Sequence, residues 1–250
     1  VGHPTGHASR GAGYNTSDKL SFQSGIKQEN LFGSGTYLGI DVNTSKLNRT
    51  AILTTIDPYF TQDGVSRTLD AYYRTTRPTS AIDSDYSLLT IGSSLKFGLP
   101  ISPTDTIYLG GGIERNKIVD GTNLPQVYKD YAEQFGSTSD SVPLTIGWSR
   151  DDRDSALTPN SGKLQRLAAE WSPAGDVKYV KAVAQYQQYI PLNKQFTLAF
   201  NGEVNWGKGL SGNPFPVFKN SYSGGLGSVR GFESSSLGAI DAVSGNPIGG

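Results

Sequence analysis

Residues 196–206 read Phe196-Thr197-Leu198-Ala199-Phe200-Asn201-Gly202-Glu203-Val204-Asn205-Trp206. Large apolar side chains occupy every even position except Gly202, and Thr197, Asn201, Glu203 and Asn205 lie between them. A period of two residues is the pattern of a β-strand with one apolar and one polar face. The stretch is longer than the ~5–6 residues usual for a strand of a soluble protein. Its apolar row also ends in a tryptophan, as rows do at a lipid–water boundary.

The same alternation recurs along the chain and predicts about eleven strands. A soluble β-sandwich would place the apolar rows against a second sheet, whereas a membrane barrel would place them against lipid. Strands of ~10 residues and rows that end in aromatic side chains favour the barrel. We therefore predict an all-β fold, a transmembrane antiparallel β-barrel. Besides the row in 196–206, the apolar rows are Leu20-Phe22-Ile26, Leu38-Ile40-Val42, Leu69-Ala71-Tyr73, Leu89-Ile91-Leu95-Phe97, Ile107-Leu109-Ile113 and Val142-Leu144-Ile146-Trp148.

The composition excludes several other classes of protein. The 250 residues are 36% hydrophobic, and the mean hydropathy of −0.37 argues against a bundle of membrane helices, each of which needs ~20 apolar residues. There is no cysteine, so disulfides, thiolate nucleophiles and cysteine-based metal sites are excluded. The 22 basic residues balance the 22 acidic ones, whereas a nucleic-acid-binding domain normally carries a basic excess.

The connections between the predicted strands alternate between compact and longer ones. In outer-membrane barrels the short turns are periplasmic and the long loops extracellular, so the first strand should run outward from the periplasm. The long connection 118–140 should contain a helical turn at Gln126–Phe135. Bacterial barrels have even strand numbers, and an open sheet edge is costly in lipid. We therefore expect residues 1–250 to be part of a barrel whose remaining strands follow Gly250.

Two motifs narrow the interpretation. The first is the turn Asp57-Pro58-Tyr59-Phe60-Thr61-Gln62-Asp63-Gly64-Val65-Ser66, and the second is Val229-Arg230-Gly231-Phe232 in the Gly/Ser-rich stretch 207–250. Together they resemble the BamA family of outer-membrane assembly insertases, within the superfamily of POTRA-barrel transporters. The resemblance is collinear over the whole chain and includes Ser21-Phe22-Gln23-Ser24-Gly25 and the turns 28–35 and 150–162.

The resemblance implies a sixteen-stranded C-terminal barrel, of which residues 1–250 hold about eleven strands, without the POTRA domains and the last strands. The implied function is to fold and insert β-barrel proteins into the bacterial outer membrane through a lateral seam, without ATP. The implied partners are unfolded outer-membrane proteins, accessory assembly lipoproteins, periplasmic chaperones, and outer-membrane lipid and lipopolysaccharide. The implied location is the outer membrane of a Gram-negative cell.

The resemblance also assigns roles to particular residues. The first strand would form the seam and template an incoming substrate strand, since an exposed strand edge can accept another strand. Residues 207–250 would be a long extracellular loop directed into the lumen, where Arg230 would pair with acidic groups on strands beyond Gly250. The turn residues Asp57, Pro58, Tyr59, Phe60, Asp63 and Gly64 would be periplasmic. The predicted seam strand consists of Gly6, His7, Ala8, Ser9, Arg10, Gly11, Ala12, Gly13, Tyr14 and Asn15.

Three classes of function remain open at this point: an insertase, a translocation pore of the same superfamily (TamA-like or a two-partner secretion transporter), and a diffusion porin. A porin function would leave both the turn motif 57–66 and the motif Val229–Phe232 unexplained. We predict no enzyme and no cofactor, because no nucleophile, base and oxyanion hole can be assembled from the sequence. We predict no metal site either: His3 and His7 are the only histidines, and Arg150 and Arg153 neutralise the aspartates among which they lie.

Overall fold

The computed structural model describes residues 6–15, 19–45, 48–77, 86–119, 121, 124–193, 195–224, 229, 231–232, 236–242 and 248–250. These residues form one antiparallel sheet, which confirms the predicted all-β class. The strands are β1 (Gly6–Asn15), β2 (Lys19–Gln28), β3 (Tyr37–Thr44), β4 (Asn48–Asp57), β5 (Ser66–Thr76), β6 (Ser87–Pro100), β7 (Asp105–Val119), β8 (Thr138–Ser141), β9 (Leu144–Asp151), β10 (Gly162–Ser172), β11 (Tyr179–Pro191) and β12 (Thr197–Gly209).

Each long strand pairs with its neighbours in the sequence, in the order β1 to β7 and then β9 to β12. In the described part of the chain, β1 is hydrogen-bonded only to β2, and β12 only to β11. The sheet therefore has two open edges and is not closed by these residues.

The short strand β8 accounts for the difference between the eleven predicted strands and the twelve observed. Both β8 and β9 pair with β7, Ser141 lying opposite Glu114 and Leu144 opposite Gly111. The register is thus continuous across the gap between β8 and β9. Pro143 lies in that gap and has no N–H to donate to the ladder. β8 therefore lies at the end of the predicted connection 118–140, and Pro143 separates it from β9, which is the predicted strand.

The two faces of the sheet differ as the alternation predicts. On β7, the side chain of Ile113 is 66% exposed, whereas the next residue, Glu114, is 8% exposed. Ile146, Leu109 and other members of the predicted apolar rows are likewise exposed. The apolar side chains thus form an uncovered outer face, and most buried side chains lie on the polar face. None of the helices in the described ranges is long and apolar enough to cross a membrane.

Among the described residues the one α-helix, α1 (Gln126–Phe135), lies in the connection between β7 and β8, at the predicted position, and short 3-10 helices occur at Leu31–Gly33 and Val217–Lys219. Helix α1 begins after Pro125 and ends at Gly136, whose φ of +82° favours glycine. Tyr128 and Tyr131 form its buried face. They pack in the one apolar core described, together with Tyr86, Leu88, Ile118, Leu124, Val177 and Val217.

Candidate functional site

The polar face of the sheet carries a cluster of three buried or partly buried charges. The Lys219 ammonium lies 2.9 Å from Glu114 Oε1 and 3.1 Å from Glu170 Oε1. Glu114 belongs to β7 and Glu170 to β10, whereas Lys219 ends a 3-10 turn, Val217–Lys219, in the segment after β12. Lys219 thus links the segment that follows β12 to two strands of the sheet, β7 and β10.

Cross-strand pairing explains how Glu114 is held in position. Tyr72 on β5 lies opposite Gly92 on β6, and Gly92 lies opposite Glu114 on β7. The Tyr72 hydroxyl extends over Gly92 and donates a hydrogen bond of 2.9 Å to Glu114 Oε2. A Cβ atom on Gly92 would lie 2.6 Å from that hydroxyl oxygen, so only glycine leaves room for this contact.

Further hydrogen bonds hold both carboxylates and the lysine. Asn116 donates to Glu114 Oε1 at 2.9 Å, and the Tyr179 hydroxyl donates to Glu170 Oε1 at 2.5 Å. The Lys181 ammonium donates to the backbone carbonyl of Lys219 at 2.9 Å. Lys181 also lies directly opposite Glu170 in the β10–β11 pairing. Two lysines therefore balance two carboxylates, as groups withdrawn from water require.

The ionisation of Lys219 depends on its surroundings. Burial by itself would lower the pKa of this ammonium, but the charges of Glu114 and Glu170 and their hydrogen bonds outweigh it and raise the pKa. Lys219 therefore stays charged at neutral pH. A lysine held between two carboxylates in this way acts as an electrostatic tie and not as a proton donor or acceptor for chemistry.

Apolar contacts fasten the same segment. Val217 is buried in the core around α1, and the ring of Phe218 lies 5.1 Å from that of Tyr131. Phe215 packs edge-on against Tyr179, and its ring covers Gly207, where a Cβ would lie 2.5 Å away. The segment after β12 therefore folds back over its own strand and onto the polar face.

The predicted docking motif is only partly described. Val229 is 40% exposed and Phe232 is 53% exposed, so neither is buried against the described residues. Gly231 has a φ of +89°. Arg230, the residue that the resemblance singled out, lies outside the described residues. Docking of this motif therefore stays a prediction.

The tie through Lys219 was not predicted from the sequence. The available signal was an acidic residue in the polar row of a predicted strand, Glu114, which had no assigned partner. The sequence could not show that Glu170 would lie close enough to share the same lysine, because that depends on the strand order and the shear of the sheet.

The predicted seam strand corresponds to β1, at one edge of the sheet. It pairs with β2 over all ten residues, from Gly6 opposite Gln28 to Asn15 opposite Lys19. A Cβ on Gly11 would meet nothing within 4 Å, and one on Gly13 would meet only the Ser21 hydroxyl. The side chains of residues 6–14 are exposed. β1 is therefore attached through backbone hydrogen bonds with few side-chain contacts.

The turn 57–66 forms a compact connection between β4 and β5. The Arg67 guanidinium lies 4.3 Å from the centre of the Phe60 ring, within the range of a cation–π contact. Gly64 has a φ of +81°, and its N–H donates to the carbonyl of Thr61. Tyr59 remains 78% exposed. The turn thus presents an aromatic side chain at the rim of the sheet.

The acidic turn after β9 is internally paired, as its alternating charges predict. Arg153 makes a two-pronged contact of 2.8 Å with Asp151, and Asp154 accepts hydrogen bonds from the N–H groups of Asn160 and Ser161. Arg150 instead pairs with Asp105 at the start of β7. Across the described ranges, no group of three or more His, Cys, Asp or Glu side chains could hold a metal ion.

Comparison with known proteins agrees with this architecture. The profile of the Omp85 superfamily domain matches residues 30–250. The chain belongs to the Omp85 superfamily. It is 34% identical over 246 residues to the outer membrane protein assembly factor BamA of Neisseria meningitidis serogroup B, covering 94% of this chain and 31% of that protein. It is 28% identical to the BamA of Nitratidesulfovibrio vulgaris, covering 98% of this chain and 30% of that protein.

Among solved Omp85 structures, the crystal structure of BamA from Haemophilus ducreyi lacking POTRA domains 1-3 superimposes with a TM-score of 0.86 at 26% identity. The match covers 99% of this chain and 51% of that one. The predicted resemblance to BamA and the barrel fold are thereby confirmed. The Omp85 chain spans about a third of the length of its curated relatives and is an outer-membrane protein of the Gram-negative type.

Proposed function

We propose that this Omp85 barrel segment belongs to an insertase that folds β-barrel proteins into the outer membrane through a lateral seam at β1, without ATP and without a chemical step. The observation that carries the proposal is the edge position of β1, held to β2 by its backbone and lightly packed. The similarity to proteins named outer membrane protein assembly factors supports assembly as the task.

The physical argument rests on the cost of an unpaired strand edge. Backbone N–H and C=O groups that face lipid without partners are strongly disfavoured, so an open edge attracts another strand. Small or absent side chains at Gly11 and Gly13 lower the cost of exchanging one partner strand for another. Free energy for insertion then comes from hydrogen bonding and lipid burial of the substrate, and no nucleotide is needed.

The rest of the assembly follows from the same proposal. β1 and β12 are the two open edges, so we propose that further strands complete a sixteen-stranded barrel, preceded by POTRA domains. The segment 207–250 would be an extracellular loop directed into the lumen, with Val229–Phe232 docked on the added strands. Unfolded outer-membrane proteins, assembly lipoproteins and periplasmic chaperones are the proposed partners, and the turn 57–66 would face the periplasm.

Site-specific crosslinking in cells tests the seam. A photoreactive amino acid at Ala12 on β1 should give adducts with the strands of newly made outer-membrane proteins. The same probe at Ala71, which is exposed on the outer face of β5, should give none and serves as the matched control. Adducts at Lys96, on the polar face of β6, with none at Ala12 would overturn the seam and favour a translocation pore.

A further inference from the structure

The outer, apolar face carries a groove across β9 to β12. Its floor is formed by small side chains, Ala169 on β10 and Ala182 and Ala184 on β11. Its volume is about 460 Å³, roughly three times that of an apolar cavity that holds one benzene molecule. The walls are formed by Ile146 and Trp148 on β9, Leu167 on β10, and Val204 and Trp206 on β12.

Strand pairing explains why this part of the face is recessed. Ala182 lies between Ala169 and Trp206 in one cross-strand row, and Ala184 lies between Leu167 and Val204 in the next. Three alanines therefore occupy neighbouring positions, and the larger side chains of Leu167, Val204 and Trp206 flank them in the same rows. The lining is almost entirely apolar, so water gains nothing there, whereas a hydrocarbon chain would bury its surface.

One end of the groove is marked by basic side chains. Lys208 follows Trp206 by two residues on the same face of β12 and lies opposite Val180. Lys178 precedes Val180 by two residues, and its carbonyl accepts a hydrogen bond from Leu210 N–H. Trp171, which is 50% exposed, lies in the same row as Val180 and Lys208. Tryptophan on an outer barrel face marks the headgroup level, so both lysines lie at or above it.

Both ends of the outer face carry ion pairs. At the end with the short turns, Arg150 pairs with Asp105, and Arg67 pairs with Asp57. At the other end, Arg115 pairs with Asp140, whereas neither Lys178 nor Lys208 has a carboxylate of the described ranges within ion-pair distance. An apolar groove that ends at two such lysines matches a ligand with a long acyl chain and an anionic head.

We propose that this groove and the two lysines form a binding site for a phosphate-bearing lipid of the outer leaflet, the lipid A part of lipopolysaccharide. An acyl chain lies on Ala169, Ala182 and Ala184, and a phosphate pairs with Lys208 and Lys178. The site uses the orientation proposed above, in which the short turns are periplasmic. It does not depend on the seam or on insertase activity.

Native mass spectrometry of the full-length protein, titrated with purified lipid A in detergent, tests the site. The double variant Lys178→Gln/Lys208→Gln should weaken binding about twenty-five-fold, since each basic group near an anionic lipid contributes a factor of about five. Ala182→Phe should lower occupancy by filling the groove. Lys163→Gln, at the opposite end of β10, and Ala71→Phe, on the outer face of β5, are the matched controls and should bind as the unchanged protein does.

Two lipids separate the parts of the proposal. Dephosphorylated lipid A should bind the unchanged protein as weakly as lipid A binds the double lysine variant. Equal binding of lipid A by the unchanged protein, the lysine variant and Ala182→Phe would overturn the site. Tighter binding of phosphatidylglycerol than of lipid A would overturn the choice of ligand and leaflet. Neither result bears on crosslinking at Ala12, so this site and the seam can fail separately.

Discussion

At the scale of single residues, Lys219 is the side chain that links the segment after β12 to the wall. It is 15% exposed and lies between Glu114 and Glu170, which are 8% and 27% exposed. Charges sheltered to this degree are stabilising only while they remain paired. Without Lys219 the two carboxylates would repel each other across the polar face. Lys219 therefore holds the segment after β12 in place and also neutralises Glu114 and Glu170.

Replacing this lysine should therefore be costly. Lys219→Met leaves two sheltered carboxylates without their cation and should lower the free energy of unfolding by about 3 kcal/mol. Limited proteolysis of residues 210–224 and urea unfolding in lipid vesicles measure the effect. Lys129→Met, on the exposed side of α1, is the control and should change neither.

A compensating variant distinguishes loss of charge from loss of packing. If Lys219 acts through charge, adding Glu114→Gln and Glu170→Gln to Lys219→Met should recover most of the lost stability. No recovery would show that the lysine acts through its apolar stem. Arg230→Ala in the same proteolysis assay would test the proposed docking of the Val229–Phe232 motif.

At the scale of an element, β12 makes the assignment of the faces testable. Leu198 is 53% exposed in the apolar row, and Thr197 is its neighbour in the polar row. Leu198→Lys should cost about 2–4 kcal/mol if the side chain lies near the middle of the membrane, because a lipid-facing charge is penalised there. Thr197→Lys should be tolerated. Folding yields of the two variants in lipid vesicles measure the difference, and equal yields would contradict a membrane-facing apolar row.

At the scale of the whole molecule, α1 and the segment after β12 form one packed unit on the polar face, and alkaline pH should open it. Burial raises the pKa of Tyr131 to about 12, and the carboxylates raise that of Lys219. A pKa raised by folding means that the protonated form is stabilised in the folded state. The stabilisation that protonated Tyr131 and Lys219 contribute to the folded protein is complete below their ordinary pKa values of ~10. It is lost as the pH rises through the higher pKa values that the two groups have in the folded protein.

We expect the packing of α1 against the segment after β12 to be unchanged from neutral pH to about pH 10 and to loosen above that pH. Near-ultraviolet circular dichroism reports the tyrosines, and far-ultraviolet circular dichroism reports the sheet, which should persist longer. Lys219→Met should lack the part of the transition that belongs to the lysine. Loosening near neutral pH would show that other groups control the docking.

Much of the fold could be predicted from short-range patterns. The period of two residues in 196–206 defines a strand and its faces wherever that strand lies, because side chains alternate across any pleated sheet. The helix at Gln126–Phe135 is likewise local. The break between β8 and β9 could also have been read from Pro143, because the missing N–H is a property of that residue alone.

By itself, the sequence determined the strands, the apolar face turned to lipid and the family, since each follows from residues near one another in the chain. Only the tertiary structure decided that Lys219 joins Glu114 to Glu170, and that Ala169, Ala182 and Ala184 form one groove. Both arrangements depend on the alignment of neighbouring strands, to which residues distant in sequence contribute. A shift of register by one residue would move every side chain of a strand to the opposite face. Neither the ion pairs nor the groove would survive that shift, although the pattern of alternation would be unchanged.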